Sequence, residues 1–340
     1  MPAQPTPPNI LAVRFSSIGD VLLTTPLLRA IRRRHPTARL TVLTKEPYLP
    51  LLSQNPHLTR VIGLASHRNL TDLAAELRGH RYSHLLDLHD NVRSRILRLL
   101  VPGPWTSYPK HRLARALLIH TKRNAYRDQR QVAERYFSAA RGLDVTPDGE
   151  PPELFSRPDV DRSVLGWLSR AGVVEDARII ALAPGAAHAT KRWPVEHWRT
   201  LIARLMGHAA RVVVVGGPED VPLASHLVGL APGQVLTATG QFGLLETAAL
   251  LRRASVLVSG DTGVMHMATA VGTPVVALFG PTVQAFGFFP YTPRARVVEL
   301  ALGCRPCSSK GGPRCPLGHH RCLHDLSPEL VYQALGESAL

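Results

Sequence analysis

Ile10-Leu11-Ala12-Val13-Arg14-Phe15-Ser16-Ser17-Ile18-Gly19-Asp20-Val21, near the head of the chain, reads as a strand that runs through a loop of small residues into a helix. Four apolar residues in a row suit a strand covered on both faces, as in a parallel sheet. Past the loop, Val21, Leu22, Leu27, Leu28 and Ile31 return at helical spacing until Pro36, with a bend expected at Pro26. A strand handing over to a helix in this way is half of a parallel βαβ unit, and the rest of the chain repeats it. Strands are expected over 39–44, 60–64, 84–89 and 105–108, then over 178–182, 211–216, 256–259 and 274–279. Helical patterns over 71–77, 195–206, 244–253 and 264–270 fall between them. Thr146-Pro147-Asp148-Gly149-Glu150-Pro151-Pro152 separates the two sets as a linker. The fold class is therefore α/β, with two doubly wound Rossmann-like domains whose strand ends face a central cleft. The expected domains are 1–157 and 158–326, with a closing helix over 327–340.

The 340 residues are 45% hydrophobic and 19% charged, which suits two packed domains and excludes a disordered chain or a small disulfide scaffold. Forty Lys and Arg against 25 Asp and Glu give +15. Residues 1–150 hold 23 basic and 11 acidic side chains, so +12 of that excess sits in the first half. An anionic partner is expected there, although 35 of the 40 basic residues are Arg, a bias that composition alone also produces. Aromatic residues make up 6% and do not interleave with Arg93, Arg95, Arg98, Arg112 and Arg115 as base-stacking platforms would, so no nucleic acid is expected. The first eight residues have no basic n-region, and no secretory leader is expected. The apolar stretch 256–280 carries Asp261, His266 and several glycines, and reads as strand, turn, buried helix and strand rather than a membrane span.

Three blocks carry chemistry. In the first, Asp20 follows the opening strand; it is either a helix N-cap or a carboxylate able to accept a proton from a hydroxyl. In the second, Ala183-Pro184-Gly185-Ala186-Ala187-His188-Ala189-Thr190-Lys191-Arg192-Trp193-Pro194, a small-residue loop leads to a basic pair. Its amides and Lys191 suit a phosphate, or the pair is merely solvated. In the third, Ser259-Gly260-Asp261-Thr262-Gly263-Val264-Met265-His266, a strand gives way to a helix whose first amides and His266 suit an anion, or Asp261 and Thr262 only cap it. No Gly-x-Gly-x-x-Gly follows any strand, which counts against a nicotinamide enzyme. The lone Asp159-Val160-Asp161 lies at a helix start and is read as capping.

All four cysteines, Cys304, Cys307, Cys315 and Cys322, lie within nineteen residues, with His319 and His320 among them. A structural zinc or iron–sulfur clip, a local staple, free buried thiols and a redox role are the open readings.

Taken together, Ser17-Ile18-Gly19-Asp20-Val21, Lys191-Arg192-Trp193-Pro194, Asp261-Thr262-Gly263 with His266, and the tail from Cys304 to Cys322 resemble family 9 glycosyltransferases, the ADP-heptose:lipopolysaccharide heptosyltransferases, and their second branch in particular. The resemblance covers nearly the whole chain. It implies a GT-B fold, an N-terminal acceptor domain, a C-terminal donor domain and a last helix that returns to the first domain. It further implies Asp20 as general base and Lys191 as the diphosphate lysine. Thr190, Glu219, Leu244, Asp261, Thr262, Gly263 and His266 are implied around the donor, with Ser17, Gly19 and Arg93 on the acceptor side. The implied chemistry is inverting and needs no metal or other cofactor. The implied partners are a nucleotide sugar and an anionic glycolipid, met in the cytoplasm at the inner face of the inner membrane. A sugar-nucleotide epimerase or hydrolase of the same fold, and a basic nucleic-acid or metal-binding protein, are the competing classes.

Overall fold

The computed structural model describes residues 7–208 and 210–336. It divides into two compact units, one running to Lys110 and resuming over Val132–Phe155, the other made of His111–Gln131 and everything from Ser156 onward.

The first unit is built on five parallel strands, β1 (Asn9–Val13), β2 (Arg39–Lys45), β3 (Arg60–Leu64), β4 (His84–Asp87) and β5 (Trp105–Ser107), in the order β3-β2-β1-β4-β5. Ala12 of β1 lies opposite Val42 on one side and Leu86 on the other, so the apolar run that opens the chain becomes the central strand. The helix expected to bend at Pro26 is two helices, Ile18–Leu22 and Thr25–Arg34. Pro26 lies in the first turn of the second, where a missing N–H costs nothing. That second helix fastens the linker: Arg29, 2% exposed, donates to both oxygens of Asp148 at 2.8 Å and to the Pro151 and Glu150 carbonyls, and pairs with Glu153 at 3.1 Å.

The second unit holds six parallel strands, β6 (Ile179–Ala183), β7 (Arg211–Val214), β8 (Val235–Thr237), β9 (Val256–Gly260), β10 (Val275–Phe279) and β11 (Ala295–Glu299), ordered β11-β10-β9-β6-β7-β8. β8 is three residues long and β11, at the sheet edge, has no fully buried residue, so neither gives the apolar run by which the other strands are read. Helix Val195–Leu205 buries Trp198, Leu201, Ile202 and Leu205, with Trp193 edge-on to Trp198 at 5.0 Å. Truncating Trp198 to Ala is expected to cost about 3–5 kcal/mol.

Two boundaries differ from expectation. Helix Arg112–Thr121 and the loop after it belong to the second unit: Leu118 and Tyr126 pack on Phe286, and Lys122 donates to the Pro306 carbonyl at 2.7 Å. A proposed first domain of 1–157 is thus interrupted by a segment whose apolar contacts lie far along the chain. The last helix, Pro328–Leu335, expected as a separate closing element, is capped by Ser327 and buries Val331 and Leu335 within the second unit, against helix Val195–Leu205, β10 and β11. The last four residues of the expected helix lie outside the described residues.

Candidate functional site

Each sheet has one place where its strand order reverses, and ligands of open α/β sheets bind beyond the strand ends there. In the first unit the chain builds outward from β1 through β2 and β3, then crosses back to β4, so the reversal lies between β1 and β4. In the second it lies between β6 and β9. The loops carrying the three sequence blocks leave from three of these four strands.

At the first reversal, Arg14 continues β1 and is 6% exposed. Its guanidinium donates to the Ser16 carbonyl at 2.8 Å, the Leu88 carbonyl beyond β4 at 2.6 Å and the Tyr108 hydroxyl at 3.5 Å, and it lies over the Tyr136 ring. The remaining nitrogen meets Asp20 Oδ1 at 2.5 Å. Burial opposes the charge on Arg14, but Asp20, Tyr136 and Tyr108 outweigh it and hold its pKa above the usual arginine value. Asp20 is the third residue of helix Ile18–Leu22, not its N-cap; Ser17 holds that position. The Asp20 Oδ2 accepts from the Ser17 amide at 3.2 Å and the Ser17 hydroxyl at 2.9 Å. Backward capping and an ion pair together fix the carboxylate, so it has a structural role and a chemical position at once. Gly19 is buried inside the same helical turn.

Beside this loop is a pocket of about 470 Å³ lined by Phe15, Ser16, Lys45, His89, Asn91 and Arg93, among others. Arg93 is exposed at its rim. His89 packs edge-on to Phe15, and its pKa is pushed down to about 3, chiefly by burial and then by Arg14 and Lys110. It is a neutral imidazole at physiological pH. Asn91 caps the next helix by accepting from the Ser94 amide, and buried Asp87 accepts from the His89 and Asp90 amides and the Ser94 hydroxyl, which fixes the pocket floor.

At the second reversal, Lys191 and Asp261 meet at 2.5 Å, and the Thr282 hydroxyl beyond β10 donates to the same carboxylate oxygen at 2.8 Å. Gly260 ends β9 so close to the Lys191 loop that a Cβ there would stand 2.9 Å from the Lys191 carbonyl. Thr262 is the N-cap of helix Gly263–Ala270, its hydroxyl 3.0 Å from that of Ser259, and His266 lies one turn on, 4% exposed. The helix thus presents Gly263 and the following amides beside Lys191 and Asp261, the arrangement of an anion site. Arg192 is exposed, and its Nε donates to the Ala186 carbonyl at 2.8 Å, closing the loop on itself.

The cysteine-bearing tail clasps this loop. The Thr190 amide and hydroxyl both reach the Gly312 carbonyl at 3.1 Å, and the Gly312 amide donates back to the Thr190 hydroxyl at 2.8 Å. His320 Nε2 donates to the Thr190 carbonyl at 2.9 Å. Gly311 has φ +90°, and a Cβ on it would press within 3.2 Å of His188, Thr190 and Lys191 side chains. Arg305 ties the tail to the Gly280 and Thr282 carbonyls. The four thiols are free, so no disulfide staple forms, and among the described residues no group of three or more His, Cys, Asp or Glu side chains is arranged to hold a metal ion. Cys322 is turned into the core, where burial and its neighbouring thiols push its pKa up to about 11.

Among the described residues no hydrogen bond or ion pair joins Glu219 or Leu244 to the Lys191–Asp261 pair. Glu219 is exposed on the short turn after β7 and makes no hydrogen bond or ion pair among the described residues. Leu244 opens helix Leu244–Arg253, half-buried. The neighbour Asp220 is the better-held carboxylate: it accepts from the Gly217 amide at 3.1 Å and packs on Gly185, and burial raises its pKa. Its signal in the sequence is Gly216-Gly217-Pro218-Glu219-Asp220 directly after a strand, where the second acid caps the turn.

Comparison with known proteins matches residues 70–316 to the model of Glycosyltransferase family 9 (heptosyltransferase). The lipooligosaccharide heptosyltransferase 2 of Haemophilus influenzae is 24% identical over 350 residues, covering 97% of this chain and 99% of that one. Among solved structures, a family 9 glycosyl transferase from Veillonella parvula superposes with a TM-score of 0.83 at 24% identity, over 99% of this chain and 98% of its own. The ADP-heptose lps heptosyltransferase II of E. coli gives 0.75 at 24%, over 97% and 98%. The two Rossmann-like units are those of a GT-B enzyme, and the chain belongs to glycosyltransferase family 9.

Proposed function

We propose that this enzyme transfers a heptose-type sugar from a nucleoside diphosphate donor, ADP-heptose, to a lipopolysaccharide core or related envelope glycan. The observation that supports the reading is the Lys191–Asp261–Thr282 constellation at a helix N-terminus on the reversal point of the second sheet, which suits a diphosphate, in a heptosyltransferase family. Lys191, the Thr190 loop, the amides from Thr262 and Gly263, and His266 take the diphosphate. Glu219 and Leu244, which follow β7 and β8 along the same sheet edge, are assigned to the nucleoside. On the first unit, Ser17, Gly19 and Arg93 border the acceptor and Asp20 is the base.

In the reaction the acceptor hydroxyl gives its proton to Asp20 as its oxygen bonds to the anomeric carbon. The bond from that carbon to the phosphate oxygen breaks, and the electron pair leaves on the nucleoside diphosphate. One displacement inverts the anomeric configuration. The charge that develops on the departing phosphate is met by Lys191 and the helix amides, which are fixed before reaction begins. This makes a metal ion dispensable: turnover should persist in excess chelator, and strict Mg²⁺ dependence would contradict that part of the reading. Among the described residues no helix is long and apolar enough to cross a membrane, and the proposed location is the cytoplasm, peripheral to the inner membrane where a glycolipid acceptor is found.

The test is a mass-spectrometric assay with a panel of nucleotide diphosphate sugars, with and without a heptose-bearing core acceptor. Acceptor-dependent consumption of ADP-heptose is expected. Turnover of the donor without acceptor would favour an epimerase or hydrolase instead.

A further inference from the structure

Helix Val92–Leu100 follows β4 in the first unit and buries Ser94 and Leu97. Three large apolar side chains on it face water: Val92 is 76% exposed, Ile96 42% and Leu99 84%. Steps of four and three residues set them in one stripe along the helix. Single exposed apolar residues need no explanation, but a contiguous apolar stripe does. Arginines flank it. Arg95 pairs with Asp90 at 3.0 Å and Arg98 stands 3.9 Å from Asp87, while Arg93 is exposed and has no ion pair among the described residues.

The stripe is continuous with the pocket at Phe15 and Ser16, because Val92, Arg93 and Ile96 also line that pocket, together with Lys45. An apolar ridge bordered by guanidinium groups matches a surface that offers phosphates above hydrocarbon, and these residues lie in the half of the sequence that carries +12. A second copy of this chain would bring a like-charged face against the arginines.

We propose that helix Val92–Leu100 lies on an anionic lipid surface, with Val92, Ile96 and Leu99 among the headgroups and upper acyl chains and Arg93 at the phosphates. The adjoining pocket then opens at the depth where the sugar of a glycolipid stands. This deepens the functional reading above and rests on its membrane-borne acceptor. Leu99 lines no part of the pocket, so a variant there separates docking from chemistry.

The experiment is flotation of the full chain with vesicles of phosphatidylglycerol and phosphatidylethanolamine, and with phosphatidylcholine alone, for the parent and Leu99→Glu. The parent should float with the anionic vesicles and release as salt rises, and Leu99→Glu should partition about tenfold less. Transfer to a deacylated, water-soluble acceptor should be equal in the two proteins, while transfer to vesicle-embedded acceptor falls with the variant. Equal flotation of both proteins, or a dimer of the parent that Leu99→Glu dissociates, would overturn the proposal. Flotation as expected with no transfer to either acceptor would count against the functional reading and leave the lipid surface supported.

Discussion

The two reversal points hold the same kind of pair, a cation and a carboxylate at 2.5 Å, but they hold it the opposite way round. In the first unit the cation is the deeper member: the Arg14 guanidinium is spent on two carbonyls, a tyrosine hydroxyl and Asp20, and Asp20, itself held by Ser17, is the more exposed, at 19% against 7%. In the second the carboxylate is anchored, with Asp261 held by Thr282, and Lys191 is the more exposed member, at 13% against 9%. In the proposed reading the first edge presents its carboxylate to a neutral hydroxyl as the base, and the second presents its ammonium to a diphosphate.

Substitutions should divide along this line. Asp20→Asn should lower turnover about 10²–10⁴-fold, as expected for loss of a general base. Near-normal turnover in a folded variant, checked by thermal denaturation, would remove Asp20 from that role. Lys191→Met should lower turnover about 10²–10³-fold through lost stabilisation of the leaving group, read as the rate of ADP release at saturating acceptor. Gly311→Ala tests whether the tail supports the second site. It places a side chain at φ +90° against Thr190 and Lys191, so the donor KM should rise roughly tenfold with a smaller change in kcat, the effect of about 1.4 kcal/mol of strain. An unchanged KM would make the clasp incidental.

The smallest effect concerns pH. His89, with a folded pKa of about 3, takes no proton in the window between there and the usual 6.5, whereas the unfolded chain does. Stability should therefore be whole above pH 6.5 and decline as pH falls through that window. His89→Gln should flatten the decline in denaturant titrations at pH 7 and pH 4.5; an equal slope in both proteins would mean that His89 charges in the folded state.

Much of this arrangement was legible from periodicity and loop composition. The run Ile10–Val13 gives a doubly covered strand, and Asp20, Lys191 and Asp261 each follow a strand, which is enough to bring each to a sheet edge. What sequence alone missed is what converges from afar. Arg14, Leu88, Tyr108 and Tyr136 come from separate segments, and nothing local marks Arg14 as buried. The placement of Arg112–Thr121 in the second unit depends on contacts with Phe286, more than 150 residues on. The tail is conspicuous in sequence for its sulfur atoms, yet its contacts with the Lys191 loop run through the Gly312 amide and carbonyl and His320, whose partner Thr190 lies 130 residues away. Composition also suggested that the positive charge of the first half awaits an anion, while part of it, Arg29, Arg33 and Arg34, is engaged with Asp148, Glu153 and Asp144.

The division of labour between the two pairs is tested most directly by the affinity for ADP alone, measured by titration calorimetry on the parent, Asp20→Asn and Lys191→Met. The account predicts that Asp20→Asn binds ADP as the parent does while Lys191→Met binds it at least about tenfold more weakly. Equal loss in both variants, or loss in Asp20→Asn alone, would contradict it.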